Sequence, residues 1–234
     1  MKLILSKKPK NVTIIEGFPG FGLIGTIATE FLMEHLQTEK IGSIEMSEIP
    51  AMIAIHGGDV VEPVSLHYNK KYNLVIIHAL NIGKNAGWEL ADVVLEIAKQ
   101  LTAKQIISLE GVGSPTADDS RMFYYTSEKG KVSKLDGVAS PLMEGVIVGV
   151  TGALLAKTSP TPLLALFAEA RSNMPDSKAA AHIIQALDGY LGLDVNVQPL
   201  LKQAQQFENQ LRGMLQKGQK AQEVQEEKHL SYVG

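Results

Sequence analysis

A short β-branched run, Val12-Thr-Ile-Ile15, meets Glu16-Gly-Phe-Pro-Gly-Phe-Gly22, and beyond this loop the chain resumes at once with helical periodicity. No other feature limits the fold so tightly. Glycine and proline end a strand, and Leu23, Ile27, Phe31, Leu32 and Leu36 then recur at the spacing of a helix with one buried face. A strand that turns this sharply into a helix is the opening unit of an α/β sheet. The same order returns later. Leu74-Val-Ile-Ile77 reads as a buried strand, residues 86–101 as an amphipathic helix with Leu90, Val93, Val94, Ile97 and Leu101 inward, and Ile106-Ile-Ser-Leu109 as another buried strand.

Between these units residues 41–46, 51–55 and 60–68 read as strands, which adds an antiparallel or mixed region. Further on, residues 123–135 suggest a polar hairpin, 145–156 a helix despite its glycines, 163–167 a core strand and 177–191 a helix. From Val197 the positions Leu200, Ala204, Phe207, Leu211 and Met214 form a narrow seam at alternating spacings of four and three. That seam suits either a coiled coil between subunits or a helix lying back on its own domain. The expected fold is therefore α/β: one domain over residues 1–192, with a largely parallel or mixed sheet flanked by helices. A helical extension and mobile tail follow over 193–234.

Composition narrows the function classes. The 22 basic residues are scattered and the net charge is −3, so there is no electrostatic footprint for nucleic acid or an anionic membrane. Cysteine is absent, which excludes thiolate metal sites and a cysteine nucleophile and fits an intracellular setting. The six histidines, at 35, 56, 67, 78, 182 and 229, form no His-Glu-x-x-His or other close ligand pair, so no metal is expected. The start of the chain has too short an apolar run for a signal peptide, and 145–156 is too short to span a bilayer, so the expected location is cytoplasmic.

Gly20-Phe-Gly22-Leu-Ile-Gly25 matches the dinucleotide fingerprint, with Glu45 twenty positions past the last glycine. Such glycines let backbone approach a pyrophosphate, but a strand packed tightly on its following helix needs the same small residues without any ligand. Pro19 and the hairpin-like strands after the helix favour the second reading. A nucleotide- or phosphate-binding enzyme, with Glu16, Glu110 or His78 as acid or base, is the alternative. Glu16 and Glu110 each follow an apolar strand and precede glycine, placing two carboxylates at one sheet edge. Such acids can transfer protons or accept hydrogen bonds from loop N–H groups. Asp118-Asp119-Ser120-Arg121 reads most simply as a polar turn.

The block Ile15-Glu-Gly-Phe-Pro-Gly-Phe-Gly-Leu-Ile-Gly-Thr-Ile-Ala28 resembles the amino-terminal signature of the proteasome assembly chaperone family, in its archaeal members. Leu109-Glu-Gly-Val-Gly-Ser-Pro115 is similar to a second family loop, and the resemblance covers about residues 11–192. The signature positions are Glu16, Gly17, Phe18, Pro19, Gly20, Gly22 and Gly25 in the first loop and Glu110, Gly111 and Gly113 in the second. The resemblance implies a homo-oligomeric protein-binding factor that engages proteasome core particle or its subunits, with no catalytic residues and no cofactor. It also implies a carboxyl-terminal tail that enters partner pockets. Here Leu230, Tyr232, Val233 and Gly234 would serve, although Tyr232 is third from the end rather than next to last. A mobile tail with an aromatic anchor and a terminal carboxylate is physically suited to such a pocket.

Overall fold

A computed structural model describes residues 1–46, 53–56, 59–83, 85–113, 121–128, 132–157, 159–170, 174–202 and 213. Strands β1 (Lys2–Leu5) and β2 (Thr13–Gly17) are followed by a 3-10 turn at Phe21–Leu23, helix α1 (Ile24–His35) and β3 (Glu39–Glu45). A small hairpin, β4 (Ala54–His56) and β5 (Asp59–Val61), stands apart, and β6 (Val64–Asn69) and β7 (Leu74–Ala79) rejoin the main sheet. Then come α2 (Gly87–Gln100), β8 (Gln105–Gly113), β9 (Met122–Thr126), a 3-10 turn at Ser133–Leu135 and β10 (Ser140–Pro141). Helix α3 (Gly149–Ala156), β11 (Leu163–Ala170) and α4 (Ser177–Leu191) follow.

Among the described residues the main sheet has nine strands in the order β1-β3-β6-β7-β2-β8-β11-β9-β10. The centre, β7-β2-β8-β11, is parallel, and both flanks are joined to it through antiparallel pairs, so the sheet is mixed. The apolar runs that read as strands are buried on both faces, and their period of two divides them between two cores. Ile15, Ile76, Ile107 and Leu166 pack under α1 and α4 with Ile27, Leu32, Ile184 and Leu187. Ile14, Val75, Ile77 and Ile106 pack under α2 and α3 with Leu90, Val94, Ile97 and Leu154.

Four elements differ from the sequence reading. The stretch 60–68 is two strands, because Pro63 has no N–H for a ladder and separates β5 from β6. Of the candidate hairpin at 123–135, the described residues hold one strand, β9, which pairs with β11 and β10, and a 3-10 turn at Ser133–Leu135, while 129–131 lie outside the described residues. The helix expected from 145 begins only at Gly149, whose φ of +74° breaks the approach to α3. Strand β1, which carried no strong signal, caps the sheet by pairing with β3. Leu193, Val197 and Leu200 are buried in the core under α1 and α4, so the seam starts by lying back on its own domain. Its positions Ala204, Phe207, Leu211 and Met214 lie outside the described residues.

Helix α4 is capped by Asp176, whose carboxylate accepts from the Ala179 N–H at 2.9 Å, while its own N–H donates to the Gly22 carbonyl. Asp176→Ala is expected to cost about 1 kcal/mol, read from urea midpoints, with Asp176→Asn retaining most of it.

Candidate functional site

Strands β2 and β8 lie side by side in parallel, with Glu16 opposite Ser108, and each carries a Glu-Gly step, Glu16-Gly17 at the end of β2 and Glu110-Gly111 shortly before the end of β8. The pleat therefore sends Glu16, Ser108 and Glu110 to the same face, toward α3. Thr151 on α3 meets them: its hydroxyl lies 2.7 Å from that of Ser108 and donates to Glu110 Oε2 at 3.2 Å. Glu110 Oε1 accepts from the Gly111 N–H at 3.0 Å, and the Phe21 N–H also serves this carboxylate. Burial raises the Glu110 pKa to about 7, against which these donors pull.

Glu16 is more extreme. It is fully buried, and burial pushes its pKa up to about 8, with the neighbouring Glu110 charge raising it further. The hydroxyls of Ser108 and Thr151 and the Phe18 N–H offset part of that rise, yet neither Glu16 oxygen has a partner at normal hydrogen-bond geometry. At neutral pH the Glu16 carboxyl is protonated.

The glycines of both loops are packed against the protein itself. A Cβ on Gly17 would lie 2.2 Å from the Gly25 carbonyl oxygen, and one on Gly25 would lie 2.3 Å from that of Leu109. Gly111 faces the Phe21 carbonyl at 1.9 Å, Gly113 the Phe21 ring at 3.0 Å, and Gly20 the Glu110 carboxylate at 1.9 Å by the same construction. Gly22 and Leu23 both take left-handed backbone, with φ of +67° and +50°, to swing the chain into α1. The close approaches that a pyrophosphate would exploit are thus occupied by β2, β8 and a carboxylate, which favours the ligand-free reading of the fingerprint.

Above this floor opens a cleft of about 550 Å³. One wall is Phe18, Pro19, Gly20 and Phe21, and the opposite one is a strap over residues 142–148. Leu142 anchors the strap by donating its N–H to the Tyr124 carbonyl at 2.8 Å. Beyond it Met143, Val146 and Val148 are 85%, 88% and 74% exposed. Glu169 is nearly buried at the rim and takes a bidentate contact from Arg121 at 3.0 and 2.8 Å.

All ten signature positions, Glu16 to Gly25 and Glu110 to Gly113, therefore gather at one sheet edge. The tail residues Leu230, Tyr232, Val233 and Gly234 lie outside the described residues, as do Ser114, Pro115 and residues 118–120. His78 sits on the other face of the sheet, held by Thr29 at 2.9 Å and Glu30 at 2.8 Å. Sequence reasoning missed Ser108, Thr151, Glu169 and the strap. The hydroxyls inside otherwise apolar segments were the available signal.

The model of the PAC2 family matches residues 14–215. The structure of Pyrococcus furiosus PbaA, an archaeal homologue of proteasome-assembly chaperone, superposes with a TM-score of 0.83 at 31% identity, covering 94% of this chain and 98% of that one. Pyrococcus furiosus PbaB, an archaeal proteasome activator, shares the fold with a TM-score of 0.76 at 24% identity, over 91% of this chain and 98% of its own. An uncharacterized protein of Methanocaldococcus jannaschii, MJ0106, is 24% identical over 226 residues, covering 96% of this chain and 94% of its own. The family match over most of the chain and the likeness to PbaA agree, and the protein belongs to the PAC2 family.

Proposed function

We propose that this protein is a homo-oligomeric, cytoplasmic protein-binding factor that assists proteasome assembly or engages the finished core particle. The likeness to PbaA over 94% of the chain carries the reading. The local chemistry supports it: Glu110 is tied to Gly111 and Thr151 and Glu16 is sealed in the interior, whereas the strap offers exposed apolar side chains of the kind that bind proteins. In this reading residues 1–192 form the body that assembles with other copies. The extension over 193–234 starts packed on this body at Leu193, Val197 and Leu200, and its later part carries the reach, with Leu230, Tyr232, Val233 and Gly234 anchoring in a pocket of the partner.

Size-exclusion chromatography with light scattering tests this, first on the protein alone and then with proteasome core particle from the same organism. The expected result is a defined oligomer that co-elutes with core particle or its free subunits. A truncation removing residues 229–234 is expected to abolish co-elution while thermal unfolding stays unchanged. Intact binding after truncation would refute the tail's role, and a protein that never associates with core particle or subunits would refute the proposal itself.

A further inference from the structure

The cleft has a one-sided chemistry. Its described lining includes three carboxylates, Glu110, Glu144 and Glu169, and three phenylalanines, Phe18, Phe21 and Phe123, but no lysine, arginine or histidine. Arg121 neutralises Glu169 from outside, and its guanidinium lies 5.9 Å from the Phe123 ring centroid, so the rim already holds a cation over an aromatic face. Among the described residues neither Glu110 nor Glu144 has a counter-charge, and of the two Glu110 is the buried one at the cleft floor, while Glu144 stands exposed on the strap. A carboxylate accepts about four hydrogen bonds, and the Gly111 N–H, the Phe21 N–H and the Thr151 hydroxyl supply three. One acceptor position remains, and a compact ammonium needs only one. An arginine fork, by contrast, needs two free oxygens on the same carboxylate.

We propose that this cleft docks a lysine side chain presented by a partner protein, with the ammonium on Glu110 and the methylene stem against Phe21, Phe123 and the apolar strap. The proposal rests on the protein-binding reading above but requires no particular partner. The cavity volume, about 550 Å³, exceeds what a bare ion needs and suits a long side chain with its flanking residues. Met143 and Val146, which project from the strap, supply contacts for those flanking residues.

The charged groups around Glu110 give the interaction a pH signature. Glu16 faces it from β2, Glu169 from β11 with Arg121 just before β9, and Glu144 from the strap, while α3 contributes the Thr151 hydroxyl. With a pKa near 7, Glu110 is largely protonated at pH 6 and largely ionised at pH 8. An arriving ammonium displaces that proton, so affinity rises with pH by roughly tenfold across this range.

The test is calorimetric titration of the full-length protein with the capped tripeptide acetyl-Val-Lys-Val-amide and its norleucine counterpart, at pH 6 and pH 8. The lysine peptide is expected to bind in the millimolar range, about tenfold tighter at the higher pH and at least several-fold tighter than the norleucine peptide. Glu110→Gln is expected to weaken binding and flatten its pH dependence. Glu144→Gln, on the exposed strap, is expected to weaken binding about two- to threefold and keep the pH dependence. Equal binding of the two peptides, binding that ignores pH, or no heat at 10 mM peptide would each overturn the proposal. Should Glu110→Gln fail to fold, the peptide pair and Glu144→Gln still decide it. No proteasome enters these titrations, so their outcome is separable from the co-elution result.

Discussion

Gly25→Ala is expected to leave the protein unfolded or insoluble. The new methyl would lie 2.3 Å from the Leu109 carbonyl oxygen, 3.0 Å from Gly17 Cα and 3.2 Å from the Phe18 carbonyl oxygen. All three are backbone atoms of the strand ends and loop on which α1 rests. A flexible side chain could rotate away, but these atoms move only if β2 and β8 separate from the helix. Overpacking a well-filled core costs about 1–3 kcal/mol where side chains can adjust, and more where backbone must shift, against a total stability of roughly 5–15 kcal/mol. Gly189→Ala is the control. It sits in α4 with nothing within 4 Å of its added Cβ, so the substitution is expected to stabilise by roughly 0.5–1 kcal/mol. Circular dichroism and urea unfolding of both variants check this, and a Gly25→Ala protein as stable as its parent would contradict the packing described.

Glu16→Gln is expected to stabilise the protein at high pH and to flatten its pH–stability curve. Glu16 has a folded-state pKa of about 8 against 4.5 in the unfolded chain, so between these values the native state holds the extra proton. Its contribution is fully present below 4.5 and is lost as pH rises through 8. At about 1.4 kcal/mol per pKa unit the loss amounts to several kcal/mol. Glutamine keeps the shape and the donor of the protonated acid and never ionises. Glu110 titrates in the same direction with a smaller rise, so the variant retains a weaker slope. Urea midpoints at pH 5 and pH 9 provide the comparison, and identical pH slopes for parent and variant would show that Glu16 is not the buried acid described.

What the sequence disclosed was mostly local. Continuous apolar runs marked the central parallel strands because both faces of those strands are buried, and the two Glu-Gly steps marked the ends where loops and acids meet. The boundaries of α4 were equally plain, since Asp176 and Gly192 bracket it with an amino-terminal cap and a left-handed carboxyl-terminal residue. What stayed hidden depends on contacts distant in the chain. Thr151 reaches Ser108 across 43 positions, and nothing near it distinguishes it from a helical threonine. Strand β9 lies beyond β11, although it precedes β11 in sequence, so its partner is not the neighbour a hairpin would supply. The strap misled because its valines and isoleucine read as a helix face, whereas Gly149 with positive φ keeps residues 142–148 out of α3.

The two borders of the main sheet limit how copies of this chain can join. On one side β1 is four residues long and runs into Ser6-Lys-Lys-Pro9, and on the other β10 is a two-residue strand ending in Pro141. Short, charged or proline-closed borders resist hydrogen-bonded extension by a further strand. Any contact between copies is thereby steered away from continuous cross-chain sheets, the geometry that leads to fibres.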